Sequence, residues 1–297
     1  MRILIACDGS ELSQQAIRFL RTIPFVSPEV TLLHVVAPVI YDSYEITQKS
    51  REKIDAFNKD LYNSGRKILD EAEDLIKGYS VTLHRKLLSG VPKKLLMQES
   101  CHFDLIVMGA RGLNPLESIL LGSVADFMLR HANCSLLLFR SLCQTEDNHG
   151  FRISFAYDGS DESMHSLKIS RYLDSGKVMT AELLCMMKKN FYFAVNYSME
   201  ELNLWSGHET LIQDRLKKAI DILHHDLPGV EVQQNLHRDV CDVAASLAKF
   251  ASEKKSDLLI ISPHKKDFLD RVLLGSVSSR LSHQATLPIL FYRHCKM

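Results

Sequence analysis

The chain lacks several features that mark common classes of protein. Its 36 Lys and Arg residues balance its 36 Asp and Glu residues, so it has no basic excess like that of a nucleic-acid-binding protein. It has no apolar run of membrane-spanning length, and the apolar stretch at its start is too short for a signal peptide. These absences argue against nucleic-acid and membrane partners and predict a soluble, cytoplasmic protein.

Cysteine patterns are also missing. The 7 cysteines are odd in number and show no C-x-x-C spacing, which argues against a disulfide framework and against a cysteine zinc site. Most lie in apolar runs such as 183–187, where cysteine behaves as a small core residue. The 13 histidines show no metal-ligand spacing either. We therefore expect a reducing compartment and no metal site of the protein's own.

What the chain does have is an internal repeat. Three segments recur in the same order at offsets of 150 to 153 residues, which indicates a tandem duplication. The sequence predicts one domain over 1–141, a second over 150–297, and a polar linker over about 142–150. The matching segments are Arg2–Ser10 with Arg152–Ser160, Leu120–Val124 with Leu273–Val277, and Leu136–Arg140 with Ile289–Arg293.

Short apolar runs alternate with helical segments in each copy. This alternation predicts an α/β fold in which each domain is a five-stranded parallel sheet with helices on both faces. Ligands of such sheets bind beyond the carboxyl ends of the strands. In the first copy the predicted strands are Ile3–Ala6, Val30–Val36, Val81–Leu87, Leu105–Met108 and Ser135–Phe139. In the second they are Ile153–Tyr157, Ala181–Met187, Val230–Leu236, Leu258–Ile261 and Pro288–Tyr292.

A glycine-rich loop follows the fourth predicted strand. Gly109-Ala110-Arg111-Gly112 is followed by nine residues and then by Gly122-Ser123 at a predicted helix start. Glycine permits close approach of backbone N–H groups to phosphate oxygens and tolerates a positive φ, and a helix N-terminus attracts anions. The pattern favours nucleotide binding, with plain turn chemistry as the alternative. For Arg111, contact with a phosphate and exposure to solvent are both open.

The spacing G-x-x-G, nine residues, G-S resembles the signature of the universal stress protein family, as do Asp8-Gly9-Ser10 and Leu32-Leu33-His34-Val35. The resemblance covers nearly the whole chain twice, as in the tandem members. It implies the family's Rossmann-like, adenine nucleotide α-hydrolase-like fold, and ATP at the loop. The nucleotide-binding residues that it implies are Ala6, Asp8, Val35, Met108, Gly109, Gly112, Gly122, Ser123 and Val124.

The second copy departs from this pattern. Ser262 stands in place of Gly109, Lys265 in place of Gly112, and Pro263 removes a backbone donor. We expect this copy not to bind ATP in the family manner. Two interpretations remain: a decayed site kept for structure, or a different anion site built from His264, Lys265, Lys266 and Arg271.

Three functions remain open from the sequence. The first is an ATP-binding stress-response protein that acts through an unknown protein partner. The second is a slow ATPase or nucleotidyl-transfer enzyme, with Asp8 holding Mg²⁺. The third is an interaction module without nucleotide. The loop has no following lysine and the chain has no G-x-S-x-G motif, so catalytic residues are not predicted.

Other expectations concern packing. His34 is interpreted as a core histidine with a satisfied hydrogen bond, and not as a ligand or base. An aromatic cluster of the second copy could line a pocket or pack on its own domain. From the family resemblance, strand Ser135–Phe139 is expected to pair antiparallel with Pro288–Tyr292 as an intramolecular pseudo-dimer, and a homodimer of chains is a further option. The aromatic cluster is Phe191, Tyr192, Phe193, Tyr197 and Trp205.

Overall fold

A computed structural model describes residues 1–41, 47–112, 121–140, 150–188, 199–263 and 275–293, without the side chains at 188, 199–212 and 239. The chain divides into two compact units. The first comprises mainly Met1–Arg21 and Ser27–Phe139, and the second comprises Thr22–Val26 and Arg140–His294. Apart from Gly150, the predicted linker lies outside the described residues, and so do the side chains of the predicted aromatic cluster.

The first unit is a parallel sheet of five strands. Its strand order is β3-β2-β1-β4-β5, and every neighbouring pair is parallel. The elements are β1 (Arg2–Ala6), α1 (Glu11–Leu20), β2 (Glu29–Val36), α2 (Gln48–Ile76), β3 (Thr82–Ser89), α3 (Pro92–Glu99), β4 (Leu105–Gly109), α4 (Ser123–His131) and β5 (Ser135–Phe139).

The second unit repeats this order of strands as β8-β7-β6-β9-β10, again with parallel neighbours. Its first helix is short and continues as a 3₁₀ helix over Leu167–Tyr172. The elements are β6 (Phe151–Tyr157), α5 (Asp161–Ser166), β7 (Val178–Lys188), α6 (Met199–Asp226), β8 (Glu231–Val240), α7 (Val243–Glu253), β9 (Leu258–Ile261), α8 (Ser276–Gln284) and β10 (Ile289–Phe291). The predicted α/β class is confirmed for both units.

Burial explains the layering of the first unit. Strands β4 and β5 are buried at every position and apolar apart from Ser135, as expected of parallel strands covered on two sides. Helix α1 packs against β4 and α2, while α3 packs against α4. Helices therefore cover both faces of the sheet, as predicted.

The chain order creates a crevice in this sheet. The connection after β1 leads to β2 on one side, while β4 lies on the other side and leads to β5. The crossovers therefore diverge at the carboxyl ends of β1 and β4. This is the switch point at which parallel sheets bind ligands.

Candidate nucleotide site

A cleft of about 320 Å³ opens at this switch point. All ten residues that the sequence analysis selects line it: Ala6, Asp8, Val35, Met108, Gly109, Arg111, Gly112, Gly122, Ser123 and Val124. The structure thus brings together residues from four separate stretches of sequence. It adds six lining residues that the sequence analysis did not assign to the site, namely Cys7, Leu33, His34, Pro92, Leu96 and Ala125.

The Asp8-Gly9-Ser10 turn fixes one wall of the cleft. Asp8 Oδ1 accepts hydrogen bonds from the Ser10 N–H at 3.0 Å and from the Ser10 hydroxyl at 2.6 Å. Gly9 adopts a φ of 79°, which glycine tolerates best. The Ser10 hydroxyl also accepts from the Ser13 N–H and so caps α1. The turn therefore holds the Asp8 carboxylate at the cleft without any ligand.

Gly112 lies against this carboxylate. A Cβ on Gly112 would come within 2.8 Å of Asp8 Oδ2, closer than real contacts allow. A side chain at this position would displace either the loop or Asp8. The glycine therefore lets the Asp8 carboxylate keep its present position.

A positive φ, one reason that the sequence analysis gave for the loop glycines, does not apply to them. None of Gly109, Gly112 and Gly122 has a positive φ. A Cβ on Gly109 would lie 3.1 Å from backbone and side-chain atoms of Leu12 and from the Ser13 nitrogen, so this glycine makes room for α1. Gly122 closes the loop, because its N–H donates to the Ala110 carbonyl at 2.8 Å.

The N-terminus of α4 supplies the donors for an anion. Gly122 is the N-cap, and as a glycine it has no side chain to cap the first turn of this helix. The first intrahelical bond runs from the Asp126 N–H to the Gly122 carbonyl at 2.9 Å. The N–H groups of Ser123, Val124 and Ala125 therefore have no intrahelical acceptor, and all three residues line the cleft. The exposed Ser123 adds a hydroxyl.

The cleft also has an apolar wall. Leu33, Val35, Pro92, Leu96 and Met108 line it. Such surfaces suit a planar ring, while the helix end suits phosphates. The cleft thus combines an apolar region and an anion region within one cavity.

Cys7 belongs to the apolar wall. Its side chain is buried and lines the cleft. Burial, and after it the charge of Asp8, raises the pKa of the Cys7 thiol to about 12. The thiol therefore stays protonated at neutral pH and acts as a packing group and not as a nucleophile.

His34 has the hydrogen bond that its sequence interpretation expects. Its Nδ1 lies 2.6 Å from the Cys7 carbonyl oxygen and donates to it. The ring is only partly buried and also lines the cleft, which the interpretation as a core residue missed. Its position at the carboxyl end of a predicted strand is the signal that could have indicated this.

The second unit keeps the turn but changes its surroundings. Asp158 Oδ1 accepts from the Ser160 N–H at 3.0 Å, and Gly159 has a φ of 80°. Tyr157 replaces Cys7, and its hydroxyl donates to the Arg215 carbonyl on α6 at 3.1 Å. The Arg215 guanidinium in turn bonds Asp161 at 3.0 Å. The proposed anion residues 264–266 and 271 lie outside the described residues.

The described part of the chain lacks two kinds of feature. It contains no group of three or more His, Cys, Asp or Glu side chains placed to hold a metal ion. None of the helices in those same ranges is both long enough and apolar enough to cross a membrane.

Comparison with known proteins gives the same family twice. The universal stress protein family matches residues 1–140 and again residues 151–293. A universal stress protein of Mycolicibacterium smegmatis is 23% identical over 296 residues, which cover 98% of this chain and 96% of that protein. The crystal structure of a universal stress protein from Archaeoglobus fulgidus DSM 4304 matches with a TM-score of 0.65 at 16% identity, over 98% of each chain.

The family matches cover both copies of the repeat, and a relative matches along nearly the full length. The likeness to the solved structure supports the fold. The chain therefore belongs to the universal stress protein family, with two family domains in tandem.

Proposed function

We propose that the first unit binds an adenine nucleotide, ATP, and that the protein acts in stress response through the nucleotide-bound state. The observation that supports this most is the convergence of all ten selected residues on one cleft. The cleft volume falls at the lower end of the range for small-molecule sites, roughly 300–1,000 Å³.

The geometry suits the three parts of such a ligand. The apolar wall accommodates the base, and the Asp8 carboxylate lies where a ribose hydroxyl could donate to it. The free N–H groups at the start of α4 accommodate phosphates. Arg111 lines the cleft and supplies a cation within the loop. In this proposal any Mg²⁺ arrives with the nucleotide and meets Asp8, the carboxylate of the cleft wall.

Binding in the family manner is proposed for the first unit alone. The second unit carries Ser262 and Pro263 where the first has Gly109 and Ala110. Ser262 directs its hydroxyl to the Tyr292 carbonyl at 3.3 Å. The five described cysteines are free thiols, which agrees with the proposed location in the reducing cytoplasm.

Calorimetry with ATP and a matched pair of variants tests the proposal. Gly112→Lys places a side chain against Asp8 and is expected to weaken binding at least about a hundredfold. Gly275→Lys is the control, because a Cβ at Gly275 meets no atom of the described residues within 4 Å and the residue belongs to the second unit. No binding by the natural chain, or equal binding by Gly112→Lys, would overturn the proposal.

Hydrolysis is the second candidate, and Asp8→Asn separates it from binding. The amide oxygen can still accept from Ser10, so the turn is kept while the charge is lost. If the site only stores ATP, phosphate release by the natural chain stays at the background rate. Release that Asp8→Asn abolishes while ATP still binds would instead establish an enzyme.

A further inference from the structure

The first turn of α3 carries two lysines at the edge of the cleft. Helix α3 begins at Pro92, which lines the cleft, and the next two residues are Lys93 and Lys94. The start of a helix favours negative charge, because its unpaired N–H groups form the positive end of the helix dipole. This turn of α3 contains no acidic residue. The lysines therefore oppose the local electrostatic preference, and such departures are expected at functional sites.

Lys93 extends toward α4, the helix whose first N–H groups line the cleft. Its Nζ atom lies 6.0 Å from the centre of the Phe127 ring, at the outer limit of a cation–π contact. Phe127 follows Ser123 by one helical turn and so lies on the same face of α4, about 6 Å along its axis. The flexible stem of lysine can carry the ammonium across that span to the start of α4.

The carboxylates of these two helices do not neutralise Lys93. Each helix carries one carboxylate, and both carboxylates pair with other cations. Lys86 Nζ lies 2.7 Å from Glu99, and Arg130 Nη2 lies 3.0 Å from Asp126. Among the described residues, no ion pair includes Lys93. An uncompensated positive charge therefore lies beside the N–H groups of α4 that have no intrahelical acceptor.

The second unit offers an internal comparison. Both α3 and α7 carry a buried leucine at their fifth position, and aligning the two helices places Ala244 at the position of Lys93. The α8 guanidinium of Arg280 pairs with Asp242, the N-cap of α7. The copy without the two loop glycines therefore also has alanine in place of the lysine, and an internal ion pair joins the starts of its two helices.

We propose that Lys93 binds the terminal phosphates of the nucleotide and makes the first unit select triphosphates over monophosphates. Pro92 and Leu96 of α3 contribute to the apolar wall, while Lys93 faces the phosphate region at α4. A triphosphate carries more negative charge than a monophosphate and reaches further from the ribose, so a cation at the rim of the cleft discriminates between them. The inference rests on the proposed nucleotide function and names the phosphate chain that the site selects.

Two neutral variants of the same helical turn test this role by calorimetry with ATP and AMP. Lys93 lies over α4, whereas Lys94 is exposed, so Lys94→Gln is the matched control. Lys93→Gln should lower ATP affinity about tenfold, as expected for one lost bond to a charged group, and should leave AMP affinity within about twofold. Lys94→Gln should keep the affinity for both nucleotides within about threefold.

Lys93→Arg is the conservative variant, because it keeps the charge, and its preference for ATP over AMP should stay within about threefold of the natural chain. Neither glutamine variant should lower the free energy of unfolding, since a lysine in the first turn opposes the helix dipole. A natural chain without preference for ATP over AMP, an equal loss in Lys93→Gln and Lys94→Gln, or an equal loss for both nucleotides would overturn the proposal. A merely structural role would weaken ATP and AMP alike.

Inorganic tripolyphosphate separates this inference from the proposed function, because it has the phosphates without the base. If it binds to the natural chain about tenfold more tightly than to Lys93→Gln while ATP fails to bind, the proposed function is wrong and the phosphate role of Lys93 stands. If ATP binds but Lys93→Gln changes neither affinity, the inference about Lys93 is wrong and the proposed function stands. If neither compound binds the natural chain, both are wrong.

Discussion

The glycines around the cleft make room for different neighbours. Gly112 makes room for the Asp8 carboxylate, whereas Gly109 makes room for α1. The same two glycines look equivalent in the sequence motif. Substitution at Gly109 should therefore disturb helix packing first, and substitution at Gly112 should disturb the cleft first.

Cys7 gives a prediction at this scale. Its thiol pKa is raised from 9.0 to about 12, chiefly by burial, so the folded protein holds a proton that the unfolded chain releases above about pH 9. The stability that this proton contributes is complete below pH 9 and is lost as the pH rises toward 12. At pH 8, iodoacetamide should leave Cys7 unmodified in the folded protein and modify it in denaturant, as measured by peptide mass spectrometry.

Cys101 is the internal control for this experiment, because it is an exposed free thiol. It should react under both conditions. Modification of Cys7 at the rate of Cys101 in the folded protein would contradict the closed, protonated thiol described above.

The identity of the lining residues could largely be predicted from sequence, but their individual roles could not. Motif spacing was enough to select Gly112 and Ser123. The contact of Gly112 with Asp8 and the bond between His34 and Cys7 join residues far apart in the chain. Such contacts depend on tertiary packing, which a local pattern does not record.

At the scale of elements, both copies keep the turn that follows their first strand. Ser10 and Ser160 cap α1 and α5 through bonds from the Ser13 and Ser163 N–H groups. In the first unit the Ser10 hydroxyl also donates to the Asp8 carboxylate, at 2.6 Å. The cap and the cleft are therefore coupled in the first copy.

A matched pair of cap variants tests this coupling between the cap and the cleft. Ser10→Ala and Ser160→Ala should each lower the free energy of unfolding by about 1 kcal/mol, the usual cost of losing an N-cap. Only Ser10→Ala should also weaken ATP binding, because Asp8 loses one of its two holding bonds. Chemical denaturation and calorimetry measure the two effects. Equal ATP affinity in both variants would show that the cap does not position Asp8.

Strand positions were predictable where the strands are apolar. The prediction of Ser135–Phe139 coincides with β5, and Leu258–Ile261 coincides with β9. The edge strand β8 runs to Val240, beyond the predicted end at Leu236. The prediction ended early because His237, Arg238 and Asp239 carry no apolar signal. The early end of α5 and its 3₁₀ continuation were not predicted, since the second copy was expected to repeat the first.

At the scale of the whole molecule, a duplication has produced two domains of one family with different residues at the nucleotide loop. The pairing of Ser135–Phe139 with Pro288–Tyr292 stays a prediction, as does a homodimer of chains. The division of work between the copies is the central claim. It depends on residues that the two copies do not share, above all Gly109 and Gly112 against Ser262 and Lys265.

The number of ATP molecules bound per full-length chain tests this claim most directly. Equilibrium dialysis of the natural chain with labelled ATP should saturate at about one molecule per chain, and Gly112→Lys should reduce this to about zero. Saturation at two per chain, or at one that survives Gly112→Lys, would contradict the assignment of nucleotide binding to the first unit alone.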